Sequence, residues 1–424
     1  MRSVTDKLKI SREKLSYIVD STAAPVAAIA FITTWIGAEL GYIEHTSNHI
    51  PEISSQVSVY SIFVNSLQYS FYPILTLIFI FILTMKKRDF GPMYKAEERA
   101  RTSGEVKKKD SQSMNNEVEE LNPAEHVKPR GINALIPILT IIIGTITGLF
   151  ITGKNACYTD LSSIIPNLND SFTSVWGSLQ ELPNNPHTFI QKLGTIIGAS
   201  DSYSALLWSS LSGVLIAVLL TVSQRILKLD ETINSAIKGF KTMLNAVLIL
   251  VLAWSLAKIT ENLHTADFIT SLLGEGFKPW LVPALSFVLA ALVAFSTGSS
   301  WGTMAILYPL VLPAAWKVCQ LNGFSFDESM MIFNNVVSTV LAGSVLGDHC
   351  SPISDTTILS SLASSCNHID HVKTQLPYAL TVGLVAVVFG TIPSALGVSS
   401  LILFPVTIAV LYGIIHFLGK KLPE

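Results

Sequence analysis

The chain has 424 residues, 50% of them hydrophobic and 14% charged, with a mean hydropathy of +0.50. Soluble domains carry about 25% charged residues, so this composition argues against a soluble globular protein. A net charge of −2 gives nucleic-acid binding no electrostatic support, and the four cysteines (Cys157, Cys319, Cys350 and Cys366) have neither disulfide nor metal-ligand spacing.

A helix needs roughly 20 apolar residues to cross the hydrocarbon core. Runs without Asp, Glu, Lys or Arg occur at Ser21–Ala38, Ile53–Met85, Ile132–Gly153, Ser202–Gln224, Thr242–Ala257, Pro279–Trp316, Ser329–Gly347 and Thr374–Gly419. Two are too long for one crossing: Pro279–Trp316 is interrupted by polar and glycine residues from Ser296 to Thr303, and Thr374–Gly419 near Pro393 to Ser400. Splitting both predicts about ten membrane segments. The runs are continuous rather than alternating, so an all-α polytopic membrane protein is expected, not a β-barrel.

The segment 86–131 breaks this pattern with eleven basic residues and a mixture of acids. It reads as a solvated, flexible linker, cytoplasmic because Lys86-Lys-Arg88 abuts a membrane end. The basic start (Arg2, Lys7, Lys9, Arg12, Lys14) and 223–241 are expected on the same side, and 153–190 outside. The simplest arrangement then pairs Ser21–Ile43 with Ile53–Met85 as an out-and-back hairpin. The expected divisions are 1–85, the linker 86–131, and a second membrane region over 132–424.

The densest chemistry lies in Gly347-Asp-His-Cys-Ser-Pro-Ile-Ser-Asp-Thr-Thr-Ile-Leu-Ser-Ser361. No Lys or Arg occurs from Val318 to Val372, so neither Asp348 nor Asp355 has a cationic partner nearby in sequence. A bare carboxylate near a membrane centre costs about 3 kcal/mol on insertion scales, and it persists only with a proton, a cation or a water-filled cavity. Pro352 removes a helical donor and frees the carbonyl of Asp348. Freed carbonyls, hydroxyls and carboxylates are ligands for a hard cation, and broken helices at the midplane hold Na+ or H+ in secondary transporters. An ordinary inter-helix loop with Ser, Pro and Asp as turn residues is the bland alternative.

Two further islands share this chemistry. Asp20-Ser-Thr-Ala-Ala-Pro25 places an acid, hydroxyls and a proline at the edge of an apolar run, and resembles Asp348 to Pro352 with one residue inserted. It reads equally as a capped helix start. Ser296-Thr-Gly-Ser-Ser-Trp-Gly-Thr303, with Gly298 and Gly302, reads as a hinge, a hairpin tip or a tight turn. The expected helix breaks are Pro352, Pro25, Gly298 and Gly302.

These three motifs together resemble the NhaC family of Na+/H+ antiporters, over most of the chain outside 86–131. The resemblance implies an inverted-repeat transporter with broken helices or re-entrant hairpins in the cell membrane. It also implies several helices before the segment matching Asp20. This chain opens directly in the basic stretch ahead of that segment, so 1–85 is expected to be a remnant of the first repeat half.

The expected function is exchange of Na+ for H+, with both ions competing for one desolvated carboxylate. Asp348 and Asp355 are the expected exchanging groups and Na+ sites. Ser351, Ser354, Thr356 and Thr357 are expected ligands, with Asp20, Ser21 and Thr22 from the opposite half. No cofactor beyond the transported ions is expected. The partners are Na+, H+ and the lipid bilayer, with a homodimer as an open option.

Three rivals share the residues. A Na+- or H+-coupled exchanger of organic acids such as malate or lactate would want a cationic side chain, and the nearby lysines (Lys258, Lys317, Lys373) read as end-of-helix snorkellers. An intramembrane aspartyl protease could pair Asp20 with Asp348, but Val345 stands where its motif needs glycine. A metal site from His349, Cys350, Cys366, His368 and His371 has irregular spacing. His368 and His371, beside Lys373, read as a solvated membrane-edge loop, and His349 as a hydrogen-bonding neighbour of Asp348 or a pH-tuning group.

Overall fold

A computed structural model describes residues 2–29, 34–47, 50–54, 56–57, 59–108, 130–182, 187–240 and 278–423, with four positions (255, 259, 262 and 263) between 241 and 277. The described residues are almost entirely helical, and their strands are two dipeptides, Arg88–Asp89 and Lys420–Lys421, paired antiparallel. The main helices are α1 (Arg12–Ile29), α2 (Phe71–Lys86), α3 (Gly91–Ser103), α4 (Ile132–Ile164), α5 (Ser202–Ser223), α6 (Val282–Thr297), α7 (Ser300–Leu321), α8 (Phe326–Cys350), α9 (Asp355–Ser364), α10 (His368–Val385) and α11 (Ser400–Leu418). Among the described residues seven helical stretches are long and apolar enough to cross a membrane, or eight if the bent pair 61–69 and 71–86 counts as one span. About ten segments were expected. One of the expected spans, Thr242–Ala257, lies almost wholly outside the described residues, and the run at Ser21–Ala38 is not one apolar helix: α1 starts nine residues earlier and carries Arg12, Glu13, Lys14 and Asp20.

The chain forms two compact units. The first comprises Met1–Ala30, Asn65–Asn122 and Leu252–Glu424. Its central helix is α8, buried on nearly every side. A capping box starts it: the Glu328 N–H donates to Ser325 Oγ, and the Glu328 carboxylate accepts from the Ser325 N–H at 2.9 Å. α6 lies along α8 so closely that a Cβ on Gly347 would sit 2.2 Å from the Ala291 carbonyl oxygen. The second unit comprises Phe31–Val64 and Pro123–Val251. There α4 and α5 pack side by side, with Thr145 Oγ1 and Ser209 Oγ hydrogen-bonded at 2.8 Å, while their Ile138, Ile142, Ile143, Leu211 and Leu215 side chains are exposed. Exposed aliphatic faces on helices of this length suit lipid rather than water.

The long run Pro279–Trp316 splits as expected, at Gly298, which takes φ +66° between α6 and α7. A side chain there would be strained, and its Cβ would lie 2.8 Å from the Ile353 backbone. Gly302 does not break the helix; its N–H donates to the Ser299 cap, inside the first turn of α7. α1 likewise continues through Pro25 to Ile29, because proline costs a helix one donor and a local clash without forcing it to end. Pro352 does sit in a break, between α8 and α9.

The start of the expected flexible linker is structured. α3 buries Met93, Ala96, Glu97 and Ala100. Glu97 accepts from the Ser11 N–H and hydroxyl at 2.8 and 2.7 Å, and Arg99 binds both oxygens of Glu13. Asp89 is fully buried against the Lys14 ammonium and the Tyr378 hydroxyl. Part of the charge that suggested solvation is instead paired with the start of α1: Asp89 with Lys14 and Arg99 with Glu13. Residues 109–129 lie outside the described residues.

Candidate functional site

The three islands meet in the first unit. α1 brings in Asp20, fully buried. Its Oδ2 accepts from the Gln375 amide at 2.7 Å and the Thr357 hydroxyl at 3.0 Å; its Oδ1 accepts from the Ser360 hydroxyl at 3.2 Å. His371 Nε2 lies 3.9 Å from the same Oδ2. Among the described residues Asp20 meets no Lys or Arg, so its charge rests on neutral donors and an imidazole. Such a carboxylate has given up hydration without gaining a fixed countercharge.

Asp348 occupies the last turn of α8 and is 1% exposed. Its Oδ2 accepts from Thr356 Oγ1 at 3.0 Å. The carbonyl that Pro352 leaves without its helical donor is taken up locally: the Ser351 N–H reaches it at 3.1 Å and the Thr357 hydroxyl at 3.3 Å. Thr357 thus stands between both acidic segments, and its single proton can serve only one of them at a time.

Other expected ligands have visible structural partners. The Ser351 hydroxyl donates to the Phe295 carbonyl at 2.8 Å and accepts from the Ile353 N–H, tying the α8–α9 break to the end of α6. Ser354 caps α9 by accepting from the Thr357 N–H, and its hydroxyl lies 2.9 Å from that of Thr356. Ser21 is buried beside Asp20, whereas Thr22 bonds back to the Ile18 carbonyl at 2.6 Å on its own helix. Asp355 begins α9; its side chain lies outside what the structure describes.

Four residues of the cluster were not among the expected ligands. Ser360 and Ser361 belong to the hydroxyl-rich run. His371 and Gln375 come from α10, and both are fully buried. The Gln375 amide nitrogen donates to Asp20 and to the His349 carbonyl at 2.8 Å, so its oxygen faces His371 Nε2 at 2.9 Å, which must carry the proton. His371 Nδ1 meets Ser361 Oγ at 2.8 Å. His368, 4% exposed, meets the same Ser361 oxygen and reaches the Pro352 carbonyl with Nε2 at 2.6 Å. The solvated-loop reading of His368 and His371 is therefore overturned. The exposed Lys373 lies about 200° around the helix from His371, on the opposite face. The i, i+4 spacing of His371 and Gln375 was the available signal.

His349 does not bond Asp348; its Nδ1 meets the Tyr72 hydroxyl at 3.0 Å. No group of three His, Cys, Asp or Glu side chains among the described residues converges as a metal would require. Asp20 is partnered by Thr357, Ser360 and Gln375 rather than by the Asp348 carboxyl, unlike a protease dyad sharing one proton.

Comparison with known proteins gives the family to which the chain belongs. The profile of the Na+/H+ antiporter family matches residues 26–179 and 189–392. An uncharacterized protein of Haemophilus influenzae is 33% identical over 389 residues, covering 90% of this chain and 63% of its own length. The arginine/ornithine antiporter ArcD of Halobacterium salinarum is 28% identical over 157 residues, 37% of this chain and 29% of that protein. The malate-2H(+)/Na(+)-lactate antiporter of Bacillus subtilis is 23% identical over 163 residues, 38% of this chain and 32% of that protein. The chain spans less than two thirds of the length of these relatives, and no solved structure matches it. With its profile matched over most of the length and its buried carboxylates gathered from distant segments, the chain belongs to the Na+/H+ antiporter family.

Proposed function

We propose that this chain forms the ion-exchanging part of a secondary transporter that passes Na+ against H+ across the cell membrane. The observation that carries the reading is Asp20: fully buried, hydrogen-bonded only to neutral groups, and facing no Lys or Arg among the described residues. In such surroundings a carboxylate is stable when it holds a proton or a cation, and each excludes the other. Asp348, with Thr356 on its Oδ2, is the second carboxylate of the same constellation. Thr356, Thr357 and Ser360 offer hydroxyl oxygens to a cation, and Gln375 orients Asp20. The membrane potential contributes about 2.3 kcal/mol per charge per 100 mV to whichever ion moves net charge. Asp355 and Ser21 are kept as further ligands on sequence grounds.

Exchange is tested in proteoliposomes by the dissipation of an imposed pH gradient on adding Na+. Asp20→Asn and Asp348→Asn are each expected to abolish the response; near-normal exchange in both variants refutes the assignment. Exchange of a small organic acid is a second reading, supported by the Bacillus subtilis relative and by imidazole donors at His368 and His371. Labelled malate or lactate taken up in exchange for Na+ would favour it over inorganic exchange.

A further inference from the structure

A second polar cluster sits on α8 thirteen residues before Asp348, about 20 Å away along the helix axis. Asn335 is fully buried there, and its amide nitrogen donates to Ser394 Oγ at 2.8 Å. Ser394 passes its own proton to the Thr391 carbonyl at 2.9 Å, which fixes the amide orientation and turns Asn335 Oδ1 away from Ser394. That oxygen is buried and makes no hydrogen bond among the described residues, and the same holds for Oδ1 of the adjacent Asn334. One turn on, Ser338 Oγ meets Ser70 Oγ at 3.0 Å, at the start of α2. The backbone opposite is irregular: residues Ala386–Thr391 form a π-helical turn, and Gly390 lets that turn approach the ring of Phe71, 2.6 Å from where its Cβ would be. Wide turns of this kind are rare and concentrate at functional positions.

The geometry points to a second, carboxylate-free cation site at Asn335, with Ser338, Ser70, Thr391 and Ser394 around it, through which Na+ passes on its way to or from the aspartates. Amide and hydroxyl oxygens suit a hard monovalent cation. A buried carbonyl oxygen without a donor is a cost that a passing cation removes. Lacking a carboxylate, the site binds weakly, and weak intermediate binding lets an ion enter and also leave. The inference rests on the exchange reading above and adds a place on the route that no aspartate marks.

The test uses the purified full chain, with 22Na+ binding measured by scintillation proximity and exchange measured in proteoliposomes. Asn335→Asp keeps the side-chain shape and adds a charge; it is expected to tighten Na+ half-saturation about tenfold, also in the Asp348→Asn background, and to slow turnover. Asn335→Leu is expected to leave 22Na+ binding at the aspartates intact while lowering the exchange rate at saturating Na+ about fivefold or more. Elution as a single monodisperse peak guards against misfolding, and Asn335→Ser, which retains an oxygen, is expected to recover part of the rate. If Asn335→Asp leaves half-saturation unchanged and Asn335→Leu exchanges at the wild-type rate, the second site is wrong while exchange by the wild type stands. If the wild type itself neither binds 22Na+ nor moves protons, the exchange reading fails, and this inference with it.

Discussion

At Asp20 the charge is shared among donors of unequal reach. Gln375 gives the shortest hydrogen bond, 2.7 Å, and with the same amide group holds the His349 carbonyl and, through its oxygen, the His371 ring. Gln375→Leu therefore leaves a carboxylate, a carbonyl and an imidazole N–H each short of one partner. Unsatisfied buried groups cost about 1–3 kcal/mol apiece. Exchange is expected to fall at least tenfold, read as Na+-dependent proton movement, whereas Gln375→Glu should shift the pH profile by adding a second titrating carboxyl beside Asp20. Cys366 offers a separate residue-scale check, since burial, helped by the Glu13 carboxylate, pushes its thiol up to about 12. At pH 8 only about one part in ten thousand is thiolate, so alkylation is expected to be slow and to accelerate about tenfold per pH unit up to pH 11. Fast, pH-independent labelling would contradict that burial.

Among the elements, the α8–α9 break depends on its neighbours. Pro352 ends α8, Ser354 caps α9, and Ser351 pins the break to the Phe295 carbonyl. The α6–α7 turn presses Gly298 against the Ile353 backbone. Gly298→Val adds a side chain where φ is +66° and the space is filled. Positive φ costs a branched residue about 1–2 kcal/mol, and overpacking about 1–3 kcal/mol more. The break should shift with it, so a loss of Na+ affinity is expected, larger than that of Gly323→Val, whose glycine also has positive φ but faces open space. Equal effects of the two substitutions on half-saturation by Na+ would count against a coupling of that turn to the site.

On the scale of the first unit, two separated stretches of chain, Met1–Ala30 and Leu252–Glu424, must be brought together before Asp20 can meet Asp348 and Gln375. The charged segment after α2 helps to hold them. Asp89 is buried between Lys14 of α1 and Tyr378 of α10, the two helices that carry Asp20 and Gln375. Removing one partner of a buried ion pair typically costs about 3–5 kcal/mol, since the other charge stays behind. Asp89→Ala is expected to lower the thermal midpoint in detergent markedly, and the Lys14→Met, Asp89→Leu double variant to recover much of the loss. A double variant no more stable than Asp89→Ala would indicate that the pair supplies more than neutralisation.

Composition and the long charge-free runs were enough to establish an all-helical membrane protein, because crossing hydrocarbon demands length and apolarity that a sequence displays directly. The Asp348 motif and the Asp20 island were legible for a related reason: carboxylates and hydroxyls beside a proline stand out in an apolar background. The sequence did not reveal that α3 packs instead of floating free, since its charges find partners only in space. Nor did it distinguish His368 and His371 from a wet loop, or single out Gln375 within its apolar run, because burial on one face of α10 depends on α1 and α9 lying against it. Which oxygens face one another, and which stay without a donor at Asn335, depends on packing between residues hundreds of positions apart, and only the tertiary structure decides that.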